Sequence, residues 1–190
     1  MKVKTGVSAR HLHLSNEDFE FLFGKEEMKK VKDLNQTGEY ASNLKVTLKS
    51  EKSEINNVRI LGPLREYTQI EISKTDAVKL GINPPVRDSG DLKNSASIII
   101  CNNDKELKKE YGCIIATRHI HMSSTDALKL GFDNHQKVKV KVDTIKGGIL
   151  ENVFIKIKDN FVFEMHIDTD DANAHLLNNG DICEIIDERL

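Results

Sequence analysis

Cysteine is scarce in this sequence, and long apolar runs are missing altogether. The three cysteines, Cys101, Cys113 and Cys183, are widely separated and form no CxxC pair, which indicates reduced cytoplasmic thiols and not a disulfide framework. No apolar run approaches the roughly 18 residues that suggest a membrane helix, and no signal-peptide core follows Met1. We therefore expect a cytoplasmic protein without a membrane partner.

An excess of charge of either sign is also missing. Lys and Arg number 28 against 30 Asp and Glu, so no strong field attracts nucleic acid, and any anion must be held by a local site. The 190 residues, 38% of them hydrophobic, suffice for one large domain or two small ones, each with its own core. Nucleic-acid binding is therefore not predicted.

Common phosphate-binding and nucleophile signatures are absent as well. The chain contains no phosphate-binding loop, no G-x-S-x-G elbow and no G-x-G-x-x-G, so a nucleotide hydrolase and a serine hydrolase have no support. Two local anion-binding candidates remain. Arg65 follows a Gly-Pro turn and suits bidentate capture of phosphate, although a lone Arg is most often a surface charge. Ser89 precedes Gly90, which would let the backbone approach an anion.

What the sequence does contain is a repeat around paired histidines. The segment RHLHLS at residues 10–15 returns as RHIHMS at residues 118–123. Residues i and i+2 of a β-strand share a face, so His11 and His13 present two imidazoles together, as do His119 and His121. A single His-x-His is as often two surface histidines, or one buried and hydrogen-bonded. Its duplication in the same surroundings favours a metal site.

A metal site needs a third protein ligand, and two residues are candidates. Glu71 alternates with Ile70 and Ile72, which on periodicity alone favours a solvent-facing polar row shared with Gln69 and Ser73. His166 lies among apolar residues, where a hydrogen-bonded core histidine is equally plausible. From the residues alone, neither assignment is decided.

Short segments that alternate apolar and polar residues predict a mainly β protein. In both repeats a serine followed by an aspartate three residues later predicts a helix start, and residues 75–81 resemble the second of these helices. Many short strands with short helices favour two related β-barrel-like halves over a doubly wound parallel sheet. A long loop is predicted at 83–94 and the join between halves at 102–110. Strands are predicted at 43–50, 58–61, 69–72, 96–101, 137–143, 153–157, 161–167 and 182–186.

Five segments together resemble one known family. SARHLHLS, LGPLREYTQIEIS, VRDSGDLKNSA, ATRHIHMS and MHIDTDDANA occur here in the order and spacing of the PduL-type phosphotransacylases, also called phosphate propanoyltransferases. The resemblance runs from about residue 7 to 184. It implies two β-barrel domains capped by short helices, at 10–116 and 117–190, with strand 1–9 crossing to the second. It also implies a metal site in the cleft between the domains.

The resemblance further implies an activity and roles for individual residues. The reaction is reversible acyl transfer between coenzyme A and inorganic phosphate, at two Zn²⁺ ions or another divalent metal. The first zinc is implied to bind His11, His13 and Glu71 and to leave a position for the coenzyme A sulfur. The second is implied to bind His119, His121 and His166. By the same resemblance, Arg65 and Ser89 contact phosphate or the reacting centre.

Further expectations concern partners and alternatives. Arg10 and Arg118, which precede the histidine pairs, either contact coenzyme A or phosphate or form structural salt bridges. A homodimer is plausible. Microcompartment-packaged relatives carry an N-terminal targeting helix that is not seen here, so packaging through such a peptide is not expected. The competing functions are a binuclear zinc hydrolase of acyl esters or phosphates and a non-catalytic module that binds coenzyme A or metal.

Overall fold

The structure, a computed structural model, describes residues 1–186. Strands predominate, with four short helices in this part of the chain. In chain order the elements are β1 (Lys2–Ser8), β2 (His11–His13), α1 (Asn16–Phe23), β3 (Lys30–Asp33), β4 (Tyr40–Lys49), β5 (Glu54–Gly62), β6 (Gln69–Glu71), α2 (Lys74–Leu80), β7 (Val86–Arg87), β8 (Ala96–Asn102), β9 (Lys105–Ala116), β10 (His119–Met122), α3 (Ser124–Leu130), β11 (Lys137–Val142), β12 (Gly148–Ile157), β13 (Glu164–Asp168), α4 (Thr169–His175) and β14 (Ile182–Ile186). The predicted fold class, mainly β with two barrels and short helices, is confirmed.

The chain divides into two compact units. The first unit is Arg10–Ala116, and the second combines Met1–Ala9 with the chain from Thr117 onward. In the first unit, strand pairing runs β4-β5-β2-β6-β9-β8 and returns to β4, which closes a six-stranded barrel. In the second, the closed order is β1-β13-β10-β12-β11-β14. Closure pairs each of these strands on both sides. The last four positions of the predicted 117–190 domain lie outside the described residues.

The two barrels share the same pattern of strand pairing. Each histidine strand, β2 or β10, pairs in parallel with one neighbour, β5 or β12, and antiparallel with the other, β6 or β13. The antiparallel neighbour then pairs in parallel with β9 in the first unit and with β1 in the second. Thus β1 and β9 are equivalent strands. Each directly precedes a histidine strand in sequence and helps to close the barrel that does not contain that strand.

Each barrel is filled by its own apolar core. Leu12, between the first two histidines, is fully buried together with Ile60 and Ile70. Ile120 has the equivalent position in the second unit, where it packs in a cluster with Met165. Because strand side chains alternate between faces, the core residue between each histidine pair directs both imidazoles to the other face.

Three of the four short helices within residues 1–186 begin where the sequence predicts, and α4 was not predicted. Ser15 and Ser123 are N-caps whose hydroxyls accept hydrogen bonds from the backbone N–H groups of Asp18 and Asp126. Ser73 caps α2 in the same way, and the Asp76 side chain completes a capping box. These bonds satisfy donors that the first helical turn leaves unpaired. None of the helices within residues 1–186 is long and apolar enough to cross a membrane.

The predicted join at residues 102–110 is wrong. This stretch forms the turn of a hairpin and the first half of β9, which pairs with β8 inside the first unit. Asn103 adopts a left-handed φ of 51° at the turn, a conformation that Asn tolerates better than most residues. The change of unit falls instead between Ala116 and Thr117. The predicted loop at 83–94 is interrupted only by the short strand β7.

Asp18 ties α1 to the barrel beneath it. Its buried carboxylate accepts hydrogen bonds from Thr68 Oγ1 at 2.5 Å and Lys109 Nζ at 2.7 Å. Burial by itself would raise the pKa of Asp18, but the hydrogen bonds from Lys109 and Thr68 outweigh it and lower the pKa below its usual value. The carboxylate therefore contributes stability at pH values above its unfolded pKa, and this contribution is lost as pH falls through the folded pKa.

We predict that Asp18→Asn costs about 1–3 kcal/mol of unfolding free energy at pH 7, because Lys109 and Thr68 lose a charged acceptor in a buried setting. Urea unfolding measures the change. Asp33→Asn, which breaks the exposed pair with Lys30, is the control and should cost less than about 1 kcal/mol. Strict additivity between Asp18→Asn and Lys109→Met would contradict a direct interaction between the two groups.

Candidate metal-binding sites

Three histidines converge in the second unit. His119 and His121 lie on β10, and the antiparallel register with β13 places His166 directly opposite His119. One ligand nitrogen from each of the three lies within 4.8 Å of the others. The ring centroids of His121 and His166 are 4.6 Å apart, and those of His119 and His166 are 5.3 Å apart. Two strands therefore bring three imidazoles close enough together to form a candidate site for a single ion.

The electrostatics favour neutral imidazoles at His119 and His121. Burial, followed by the nearby charge of Lys156, lowers the pKa of His119 well below its ordinary value. Burial and then His166 lower the pKa of His121 to about 3. His119 Nδ1 donates to the carbonyl of Thr117 at 2.8 Å, which leaves a lone pair on Nε2. Neutral imidazole is the form that binds transition metals.

A buried nitrogen without a hydrogen-bond partner makes the cluster a candidate ligand site. Nδ1 of His121 is buried and has no hydrogen-bond partner, although an unsatisfied buried polar atom costs free energy. Three imidazole ligands with a fourth position open is the composition of catalytic zinc sites. His119, His121 and His166 therefore fit a divalent metal such as zinc.

The first unit repeats the strand register of this cluster with residues of its own. His11 and His13 lie on β2, and the register with β6 places Glu71 opposite His11, where the second unit has His166. Glu71 Oε2 lies 3.6 Å from His11 Nε2. Burial, then the neighbouring His11 and Arg65, lower the pKa of His13 to about 2, and its buried Nδ1 also has no hydrogen-bond partner. Two imidazoles and a carboxylate again suit a divalent metal.

The solvent-facing arrangement considered for Gln69, Glu71 and Ser73 does not occur. Gln69 is fully buried, Ser73 is buried, and the Glu71 side chain is only 14% exposed. Gln69 and Glu71 share a face as the alternation predicts, but the face opposite Ile70 and Ile72 is covered. Periodicity assigns residues to faces and does not reveal what lies over each face.

Arg65 and Ser89 lie beside the candidate ligands of the first unit. Arg65 Nη2 bonds Glu39 Oε1 at 3.0 Å, and its Nη1 lies 3.4 Å from Ser89 Oγ. Ser89 Oγ in turn accepts a hydrogen bond of 2.8 Å from Gln69 Nε2, and the same nitrogen donates to Glu71 Oε1 at 2.6 Å. A continuous polar network thus joins Arg65 to Glu71.

Arg10 and Arg118 occupy equivalent places and form equivalent ion pairs. Arg10 donates to Asp76 from both Nε and Nη2 at 2.8 Å. Arg118 donates to Asp171 at 2.8 and 2.6 Å, and this hydrogen bond raises the pKa of Arg118. Each aspartate lies in the first turn of the helix that follows the third candidate ligand. These bidentate pairs are the salt-bridge alternative, and a role for either arginine in binding coenzyme A stays a prediction.

Four residues of these sites were not predicted. Gln69 and Glu164 lie two residues before the third candidate ligands, and the i, i+2 rule that singled out the histidine pairs could have found them. Glu39 contacts Arg65 from the turn between β3 and β4. Phe161 stacks on His121 with ring centroids 4.0 Å apart. No local sequence signal indicates the last two contacts, because both depend on tertiary pairing.

Comparison with known proteins gives a consistent family. The profile of the family described as phosphate propanoyltransferase matches residues 4–178. A phosphate propanoyltransferase of Thermotoga maritima is 49% identical over 184 residues, which is 96% of this chain and 88% of the relative. One of Lachnoclostridium phytofermentans is 47% identical over 97% of this chain and 87% of the relative. One of Salmonella typhimurium is 46% identical over 90% and 82%.

We predict that His121→Ala weakens zinc binding in the second unit by at least about 100-fold, since it removes a ligand and not merely an outer-shell partner. Zinc content after dialysis and competition with a chromogenic chelator measure the loss. His135→Asn is the matched control, because His135 is exposed with a positive φ that Asn accepts. An undiminished zinc content in the His121→Ala protein would contradict the assignment.

Proposed function

Because the chain belongs to the phosphate propanoyltransferase family, we propose that it transfers a short acyl group reversibly between coenzyme A and inorganic phosphate. Acyl-coenzyme A and phosphate give acyl phosphate and free coenzyme A. The observation that carries the proposal is the three-histidine cluster of the second unit, whose register is repeated by His11, His13 and Glu71 in the first unit with Arg65 and Ser89 nearby. That arrangement would supply metal ligands together with an anion-binding side chain.

The metal part of the proposal assigns two divalent ions, zinc in the first instance. One would bind His11, His13 and Glu71, and the other His119, His121 and His166. Bound there, zinc would supply a Lewis acid that stabilises a departing thiolate, whose parent thiol has a free pKa of about 8.5. That the two ions act in one dinuclear centre stays part of this proposal.

Arg65 is proposed to bind the attacking phosphate. A guanidinium has five N–H donors. The contacts with Glu39 and Ser89 use one on Nη2 and one on Nη1, so these two contacts do not use all of the donors. Its planar donors suit the oxygens of phosphate, and its charge offsets the repulsion that phosphate meets near a thioester. Ser89 Oγ, fixed by Gln69, is proposed to contact phosphate or the reacting carbonyl.

The acyl transfer is proposed to be direct. A phosphate oxygen bonds to the acyl carbon, the carbon–sulfur bond breaks, and the electron pair leaves with the sulfur. No acyl-enzyme is needed, which agrees with the state of the thiols. Burial raises the pKa of Cys101 and Cys183, and raises that of Cys113 to about 12. A thiol with a raised pKa is a poor nucleophile because little thiolate is present at neutral pH.

Our central prediction is phosphate dependence. With zinc-loaded protein and propanoyl-coenzyme A, we expect release of free thiol only when phosphate is present, with acyl phosphate as the second product. Thiol titration and an acyl phosphate assay measure both. Thiol release that is indifferent to phosphate would indicate the binuclear hydrolase instead. Absence of release with any acyl chain would favour a binding module.

A second prediction concerns Arg65. We expect Arg65→Lys to lower kcat/KM for phosphate by about 10- to 100-fold, because a single ammonium cannot reproduce bidentate contacts. The KM for acyl-coenzyme A in the same variant is the internal control and should change little. Steady-state kinetics with each substrate varied in turn give both values. An unchanged KM and kcat for phosphate would remove Arg65 from the phosphate site.

A further inference from the structure

One position recurs in both barrels, two residues before the third candidate ligand. In the first unit it is Gln69, which pairs with His13 across β2 and β6. In the second it is Glu164, which pairs with His121 across β10 and β13. Gln69 is completely buried and Glu164 is 3% exposed. Buried amides and carboxylates need hydrogen-bond partners, so the contacts of these two side chains are informative.

Gln69 donates to the carboxylate beside it. One contact of Nε2 is with Glu71 Oε1 at 2.6 Å and the other with Ser89 Oγ at 2.8 Å. Its Oε1 accepts from the backbone N–H of Gly90 at 2.7 Å, which fixes the orientation of the amide. Since Gln69 holds Oε1 of Glu71, Oε2 is the oxygen that faces His11. A hydrogen-bond donor, and not a second carboxylate, suits a carboxylate ligand in this place.

Glu164 performs the opposite task in the second unit. Its Oε2 lies 2.9 Å from His166 Nε2, and a carboxylate oxygen at this place accepts the hydrogen bond that the ring N–H donates. Gly6 leaves room for this contact, since a Cβ atom there would lie 3.2 Å from Glu164 Oε2. With the Nε2 proton engaged in this hydrogen bond, Nδ1 is the His166 nitrogen left for a ligand. Glu164 therefore selects the tautomer and orientation of His166.

We propose that Gln69 and Glu164 are equivalent positioning residues, each matched in hydrogen-bond polarity to the third metal ligand of its unit. A carboxylate ligand, Glu71, is held by an amide donor, and an imidazole ligand, His166, is held by a carboxylate acceptor. This inference rests on the proposed metal sites. Its main support is that the ligand and the residue that holds it differ together between the two units, Glu71 with Gln69 and His166 with Glu164. A purely packing role would not require the hydrogen-bond polarity of the second residue to change with the ligand type.

The test measures zinc affinity of metal-depleted full-length protein by chelator competition, with one site left intact at a time. The His121→Ala background isolates the first site and the His13→Ala background the second. We expect Gln69→Glu, which replaces the donor 2.6 Å from Glu71 with a second carboxylate, to weaken the first site by about 10- to 100-fold. We expect Glu164→Gln to weaken the second by a similar factor. Both changes nearly preserve side-chain volume.

Two isosteric controls carry the same chemical changes elsewhere. Gln136→Glu keeps its acceptor for the backbone N–H of Asp133, and Glu151→Gln removes only an exposed ion pair with Lys139. Both should leave zinc affinity within about twofold in either background. Circular dichroism of the metal-free variants verifies that each is folded.

The decisive measurement is whether the effect of Gln69→Glu on zinc affinity reverses when the ligand type changes. With Glu71 replaced by His, the first site acquires the ligand type of the second, and Gln69→Glu should then strengthen zinc binding instead of weakening it. A weakening in both cases would overturn the inference and leave the proposed metal sites in place. If neither single-site background nor the unsubstituted protein binds zinc, the proposed metal sites are overturned, and the inference falls with them.

Discussion

The register between each histidine strand and its antiparallel neighbour is the constraint on which the candidate sites depend. In an antiparallel pair, directly opposed residues share a face. The register of β10 with β13 places His166 beside His119, and that of β2 with β6 places Glu71 beside His11. A slip by one residue would turn the core side chains of β6 and β13 outward and bring their polar neighbours into the barrels. The apolar cores therefore fix the geometry of the ligands on the opposite face.

Helices reinforce this register from outside the sheet. In each unit, an arginine before the histidine pair donates to an aspartate in the first turn of the helix that follows the third candidate ligand. The pairs are Arg10 with Asp76 and Arg118 with Asp171. Each arginine–aspartate pair thus connects the start of one strand of the site to the end of its neighbour. A bidentate pair is directional as well as attractive, so it limits sliding between the two strands.

Local features were predictable from the sequence, whereas the covering of each strand face and the position of the join between units were not. The serine caps depend on residues three apart, and these the sequence displays directly. The histidine pairs follow from strand alternation alone. Gln69 and Glu71 were assigned to one face, but their burial depends on a loop that contains Ser89 and arrives from 20 positions later in the chain. The segment around Asn103 resembles a polar linker because a tight hairpin turn uses the same residue types.

The exchange of β1 and β9 has a consequence for synthesis of the protein. All six strands of the first barrel lie in one continuous stretch, so this barrel can close while the chain is still being made. In contrast, β1 is made before that stretch, and its partners β13 and β14 come after it. At about 5–20 residues per second, β1 waits on the order of ten seconds for its partners. Lys2 and Lys4, on its exposed face, are the type of charge that keeps a waiting strand from pairing with other chains on the ribosome.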